Sequence, residues 1–181
     1  MAKFYTELSD ELQQFIQEQH IFFTATAPTQ GRVNLSPKGM DTFRCLDAQT
    51  VAYLDLTGSG NETAAHLHEN GRMTIMFCSF SDRPLILRLY GQGCVLHQGD
   101  PDWESIHAHF PFLPGERQLI VLAIESVQTS CGFGVPRYTF EESRDTLVSW
   151  AKQKGEAGLQ DYRRKKNQIS IDGLPTQLPV D

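Results

Sequence analysis

Two stretches of this sequence combine residue types able to hold a charged ligand. The first is Thr57-Gly58-Ser59-Gly60-Asn61-Glu62-Thr63. Two glycines, then a Ser-x-x-Glu pair at Ser59 and Glu62, predict a loop running into a capped helix start. A helix N-terminus presents unpaired N–H groups and a partial positive charge, which suits a phosphate. Ser59, Asn61 and Thr63 add side-chain donors. Glu62 opposes an anion unless its carboxylate turns back onto the Ser59 backbone. An ordinary capped helix fits the same pattern. The loop is not a Walker loop, because no Gly-Lys-Ser/Thr follows, and no G-x-G-x-x-G opens the helix.

The second stretch is Asn34-Leu35-Ser36-Pro37-Lys38-Gly39-Met40. Pro37 fixes φ and lacks a donor, so it is expected to end a strand. Lys38 then projects from the strand end. It is either a solvated surface lysine or a cation that stabilises negative charge on a reduced cofactor. Arg88, alone among apolar residues in Leu85-Ile86-Leu87-Arg88-Leu89-Tyr90-Gly91, either faces a ligand or pairs with an acid at the sheet rim. A metal site is not expected. His66 and His68 are two apart on a helix and point to different faces, His107 and His109 repeat the spacing, and there is no HExxH. No G-x-S-x-G is present. Cys131 reads as a packed small residue in a glycine-rich turn. No side chain stands out as a catalytic acid, base or nucleophile.

The elements that must position these residues follow from periodicity. Residues 7–19 predict a helix capped by Ser9, with Leu8, Leu12, Phe15 and Ile16 on one face. Strands are expected over 20–27, 32–36, 51–56, 72–79, 85–96 and 118–127. A helix from the glycine loop is expected to end near Asn70, with Gly71 behind it. Further helices are expected over 102–109, 145–154 and 158–166, and an extended end over 174–181. Strands dominate and their connections are short, so an antiparallel barrel with peripheral helices fits best. The division expected is a barrel over 1–140 and a helical extension over 141–181.

The bulk numbers agree with one globular unit. The chain has 181 residues, 40% of them hydrophobic, and a formal net charge of −6. Residues 141–181 are neutral in sum, so the negative charge lies in 1–140. That balance argues against nucleic-acid binding, and the one basic run, Arg163 to Lys166, reads as helix surface. No stretch resembles a signal peptide, and no apolar run approaches the ~18 residues of a membrane span. Four scattered cysteines without a CxxC predict reduced thiols. A cytoplasmic protein without membrane contact is expected.

Taken in order, four segments resemble the pyridoxamine 5′-phosphate oxidase-like group of FMN-binding split-barrel proteins. They are Val33 to Gly39, Tyr53 to Thr63, Asn70 to Phe77, and Leu87 to Gly93, so the resemblance spans about residues 20–127. It implies a six-stranded antiparallel split barrel that forms a homodimer with FMN at the interface. Ser36, Pro37 and Lys38 would lie along the flavin ring, with Lys38 stabilising the charge of its reduced form. Leu56, Thr57, Ser59, Asn61 and Thr63 would pass the ring and the phosphate. Arg72 or Arg88 would supply a further phosphate cation.

The sequence departs from the oxidase proper. Glu62-Thr63 stands where the oxidase has an Arg-Lys pair, and the C-terminal part has Trp150 but no Arg-x-His. The resemblance therefore implies a branch with its own C-terminal helices and a substrate other than pyridoxamine phosphate. The function expected is an FMN-dependent oxidoreductase acting on a small molecule. The alternatives are a non-catalytic module for flavin, F420 or haem, or a structural homodimer with a dead site.

Overall fold

In the computed structural model, which describes residues 2–180, the chain begins with a three-residue strand, β1 (Lys3–Tyr5), and a short helix, α1 (Asp10–Gln17). Ser9 caps α1 by accepting from the Leu12 N–H, and Phe15 and Ile16 are its buried residues. Then come β2 (Ile21–Thr26), β3 (Asn34–Gly39), β4 (Phe43–Cys45) and β5 (Thr50–Leu56). Helix α2 (Glu62–Asn70) follows, and Gly71 ends it in the left-handed conformation, φ 71°. The chain continues through β6 (Arg72–Cys78), β7 (Ile86–Leu96), α3 (Trp103–His107), β8 (Glu116–Ser130) and α4 (Thr146–Lys166).

Six strands have six residues or more, as expected, and β1 and β4 are three-residue additions at the margins. All pairings are antiparallel, in the order β3-β2-β6-β7-β8-β5-β4, with β1 on β8. Three strands separate β2 from β5 along the sheet. Even so, the rings of Phe22 and Tyr53 lie 5.5 Å apart, and Phe22 also meets Phe43 of β4 at 5.0 Å. The sheet is therefore curled on itself as a split barrel, with Phe22, Tyr53, Ile75, Phe77, Leu89 and Leu122 inside. A second apolar cluster, with Leu54, Trp103 and Leu119, covers the outer face of β5 and β8. β5 is thus buried on both faces, and so its sequence is a continuous apolar run without alternation.

Pro37 does not end β3, contrary to expectation. β3 is the edge of the sheet, where one row of N–H groups has no partner strand and proline is tolerated. The two C-terminal helices expected from sequence are present within α4, separated at Gly155, whose φ 64°, ψ 169° is not helical. The long β7–β8 ribbon shifts register at Tyr90/Gly91. A Cβ on Gly91 would sit 1.9 Å from the Ala123 carbonyl oxygen, so only glycine fits the bulge. The four cysteines are unpaired. Among the described residues, no helix is long and apolar enough to cross a membrane.

Candidate functional site

Curling brings β3 and β5, from opposite ends of the sheet, to one seam. Along β3, Asn34, Ser36 and Lys38 are the more buried residues, while Leu35 and Pro37 face outward. This is the period-2 consequence of an edge strand lying over the barrel mouth. Asn34, Ser36 and Lys38 meet Leu56, Ser59, Asn61 and Thr63 around a polar pocket of about 290 Å3. Three charges outside the expected site set, Asp55, Glu62 and Arg117, complete it.

Asp55, only 3% exposed, is the hub. Its carboxylate accepts from Lys38 Nζ (3.0 Å), Arg117 Nε and Nη2 (3.0 and 2.6 Å) and Gln118 Nε2 (2.9 Å). Burial pushes the Asp55 carboxyl up. The charges of Arg117 and Lys38, and the bonds they donate, outweigh burial and hold it down at about 2. With Asp55 ionised, Lys38, Arg117 and Asp55 together carry one positive charge, which Glu62 on the same pocket lining offsets. The Arg117 side chain is 3% exposed and its Nη1 donates to the Gly60 carbonyl (3.0 Å), so it clamps the glycine loop. The Lys38 side chain is 24% exposed and is the cation with access to a ligand. Its Nζ also lies 5.6 Å from the centre of the buried Tyr53 ring, within cation–π range.

The start of α2 differs from the expected capping pair. Asn61 is at the cap position without a side-chain cap bond. Its Oδ1 accepts from Gln118 Nε2 (2.8 Å), and its Nδ2 donates to the Asn167 carbonyl (3.5 Å). Glu62 does not turn to Ser59. Its two oxygens each accept from the Ile171 N–H at 3.1 Å, because the chain beyond α4 passes over the helix start. Thr57 is buried, donates to the Gly115 carbonyl (2.9 Å) and accepts from Arg163 Nε (2.9 Å). The side chains of Thr57 and Asn61 are therefore engaged by the protein. Ser59 stays exposed at the pocket, and Thr63 Oγ1 accepts from Asn34 Nδ2 (3.1 Å).

A second cavity, about 880 Å3, shares Lys38, Gly58 and Ser59 with the polar pocket. Pro37 and Thr57 border this larger space. Arg72 and Arg88 border neither. Arg72 is exposed at the start of β6, and Arg88 Nη1 donates to Ser130 Oγ (3.3 Å) on the opposite side of the ribbon. Within one chain the buried cation at the loop is Arg117. The signal for the hub was a lone carboxylate inside the run Val51-Ala52-Tyr53-Leu54-Asp55-Leu56, since a buried charge requires a partner.

A curled antiparallel sheet whose edge strand carries a lysine near its end, beside a glycine loop and a helix N-terminus, is a split barrel with a cleft at the seam. Residues 8–131 match the family model described as pyridoxamine 5′-phosphate oxidase, and the chain belongs to that family. It is 40% identical over 195 residues to the pyridoxamine 5′-phosphate oxidase family protein ustO of Aspergillus flavus, covering 97% of this chain and 78% of that one. Two solved structures share the fold at low identity. One is a putative pyridoxamine 5′-phosphate oxidase from Lactobacillus delbrueckii, with TM-score 0.55 and 21% identity over 68% of this chain and 94% of that one. The other is the FAD binding protein from Mycobacterium smegmatis, with TM-score 0.51 and 12% identity over 70% and 97%.

Proposed function

We propose that the cleft holds FMN and that the protein is an FMN-dependent oxidoreductase acting on a small molecule as a cytoplasmic homodimer. One observation carries this reading. A polar pocket, with Lys38 and the start of α2 at its lining, opens at Lys38 into a larger and mainly apolar space. FMN is divided in the same way, with an anionic phosphate on a polar chain at one end and a flat ring at the other. Family membership and the FAD-binding description of one structural neighbour support a flavin. Bound FMN would supply the hydride and electron transfer.

The chain's own residues then have definite tasks. Ser59, Thr63 and the uncapped first N–H groups of α2 receive the phosphate. Lys38 places its ammonium at the ring's edge. Asp55, ionised over the whole physiological range, keeps that ammonium aimed. Glu62, the residue that favoured a dead site, lines the polar pocket, and its two oxygens accept from the Ile171 N–H. The exposed Val33 and Leu35, beside and on the edge strand, offer apolar surface for a second copy.

Purification without added cofactor, an absorption spectrum and the mass of any released ligand test the proposal. Flavin bands with FMN released on denaturation support it. A colourless protein that takes up no FMN refutes it. The site assignment has its own test. Lys38→Ala and Thr63→Ala are each expected to weaken FMN binding, Lys38→Ala by about tenfold or more. Unchanged affinity in both variants refutes the assignment.

A further inference from the structure

The 880 Å3 cavity lies near the upper end of the ~300–1,000 Å3 that suffices to bury a drug-sized ligand. Its two sides have different origins. Strand end and loop, with Pro37, Lys38 and Ser59, form one. The segment 140–162, outside the matched family region, forms the other with Phe140, Leu147, Trp150 and Tyr162. Phe140 lies flat on His20 of the barrel, ring centres 3.7 Å apart and planes at 11°. Trp150 meets Tyr162 edge-on at 5.1 Å and 79°. Two aromatic pairs thus fix the segment's rings. Phe140 and Leu147 are still exposed, with apolar surface that an apolar occupant would bury at ~25 cal/mol per Å2. Fixed aromatic faces favour a stacked or edge-on ring over a saturated body of the same size. The charges on this side, Glu142 and Arg144, offset each other in sum, and Lys38 is already partnered by Asp55.

We infer that residues 140–162 form the substrate wall of the cleft, and that the substrate presents a planar aromatic ring, uncharged over the part that enters, against Trp150 and Tyr162. This rests on the flavin reading for the opposite side of the cavity. Trp150 is the specificity-determining residue.

The test is calorimetric titration of the FMN-loaded and the cofactor-free protein with 2-naphthol and with its saturated counterpart, decahydro-2-naphthol. Naphthol is expected to bind saturably and about tenfold tighter than the saturated alcohol. Trp150→Ala is expected to lose about tenfold in naphthol affinity, with FMN affinity, read by flavin fluorescence, unchanged within about twofold. Leu147→Glu, at a more exposed position, is expected to weaken naphthol binding too and stands in if Trp150→Ala fails to fold. Equal affinity for the two alcohols overturns the inference. So does naphthol binding that neither substitution changes, or a Trp150→Ala loss confined to FMN. Protein that binds FMN but no naphthol overturns the inference alone. Protein that binds naphthol at Trp150 but no FMN leaves the wall standing and removes the flavin reading.

Discussion

Replacing Asp55 with Asn removes one charge from the hub and leaves its shape. Arg117 is then stranded as a buried cation, with its side chain 3% exposed. Breaking a buried ion pair from one side costs about 3–5 kcal/mol. For a chain of this size 1 kcal/mol moves Tm by about 2–4 °C, so the expected fall is about 6–20 °C. The wild-type protein should report the same cluster through pH. The folded-state pKa of Asp55, about 2, lies below the ordinary 3.8. Its contribution is therefore complete above the unfolded value and is lost as pH falls from about 4 to 2, a loss of about 2 kcal/mol. Urea unfolding at pH 7, 4 and 2.5 measures both effects. Asp55→Asn should lower the midpoint at pH 7 and flatten the acid limb. Pairing Asp55→Leu with Arg117→Met should restore part of the loss, because the buried charge is then removed and only the partly exposed Lys38 is left without its partner. A variant with the wild-type midpoint and an unchanged acid limb would refute the reasoning.

Other expectations are simpler to measure. Gly91→Ala forces a methyl against the Ala123 carbonyl and should destabilise the ribbon by about 3 kcal/mol or prevent soluble expression, read by urea unfolding or by yield. Asn167, fully buried, donates from Nδ2 to the Gly58 carbonyl at 3.0 Å. Asn167→Ala should cost about 1–3 kcal/mol and speed proteolysis of the segment after α4. His68 and His97, 6.5 Å apart, are both held below the ordinary 6.5, mainly by burial. The unfolded chain then binds more protons, so stability should decline as pH drops below 6.5, and His97→Gln should reduce that decline in urea unfolding at pH 7.5 and 5.5.

Much of the fold was legible because local rules and global packing agree. Ser9 caps α1, Gly71 ends α2, and the alternation of Phe22, Thr24 and Thr26 turns one face of β2 inward. Legibility failed where a local rule met an unusual setting. Pro37 reads as a terminator but lies on an edge strand. The site was half visible. Ser36, Lys38, Ser59 and Thr63 belong to segments whose composition is itself a signal. Asp55 is a single polar residue in an apolar strand, and Arg117 and Gln118 lie in a short polar start to β8; the β5–β8 register makes them meet, and only the curl of the sheet adds Lys38. Glu62 was misread for the opposite reason. Its capping partner was sought three residues away, and it lies at Ile171.

That distance has a consequence for how the protein is made. The loop at 57–62 is pinned by Arg163, Asn167 and Ile171, partners more than 100 residues later in the chain. At ~5–20 residues per second of synthesis, the loop leaves the ribosome roughly 5–20 s before its last anchors exist. The barrel strands can pair during that interval, and Gly115 and Arg117 can hold the loop, but its bonds to Arg163, Asn167 and Ile171 are still missing. A chain broken off before Arg163 would have its barrel strands but a loop held only by its contacts with residues 115–118.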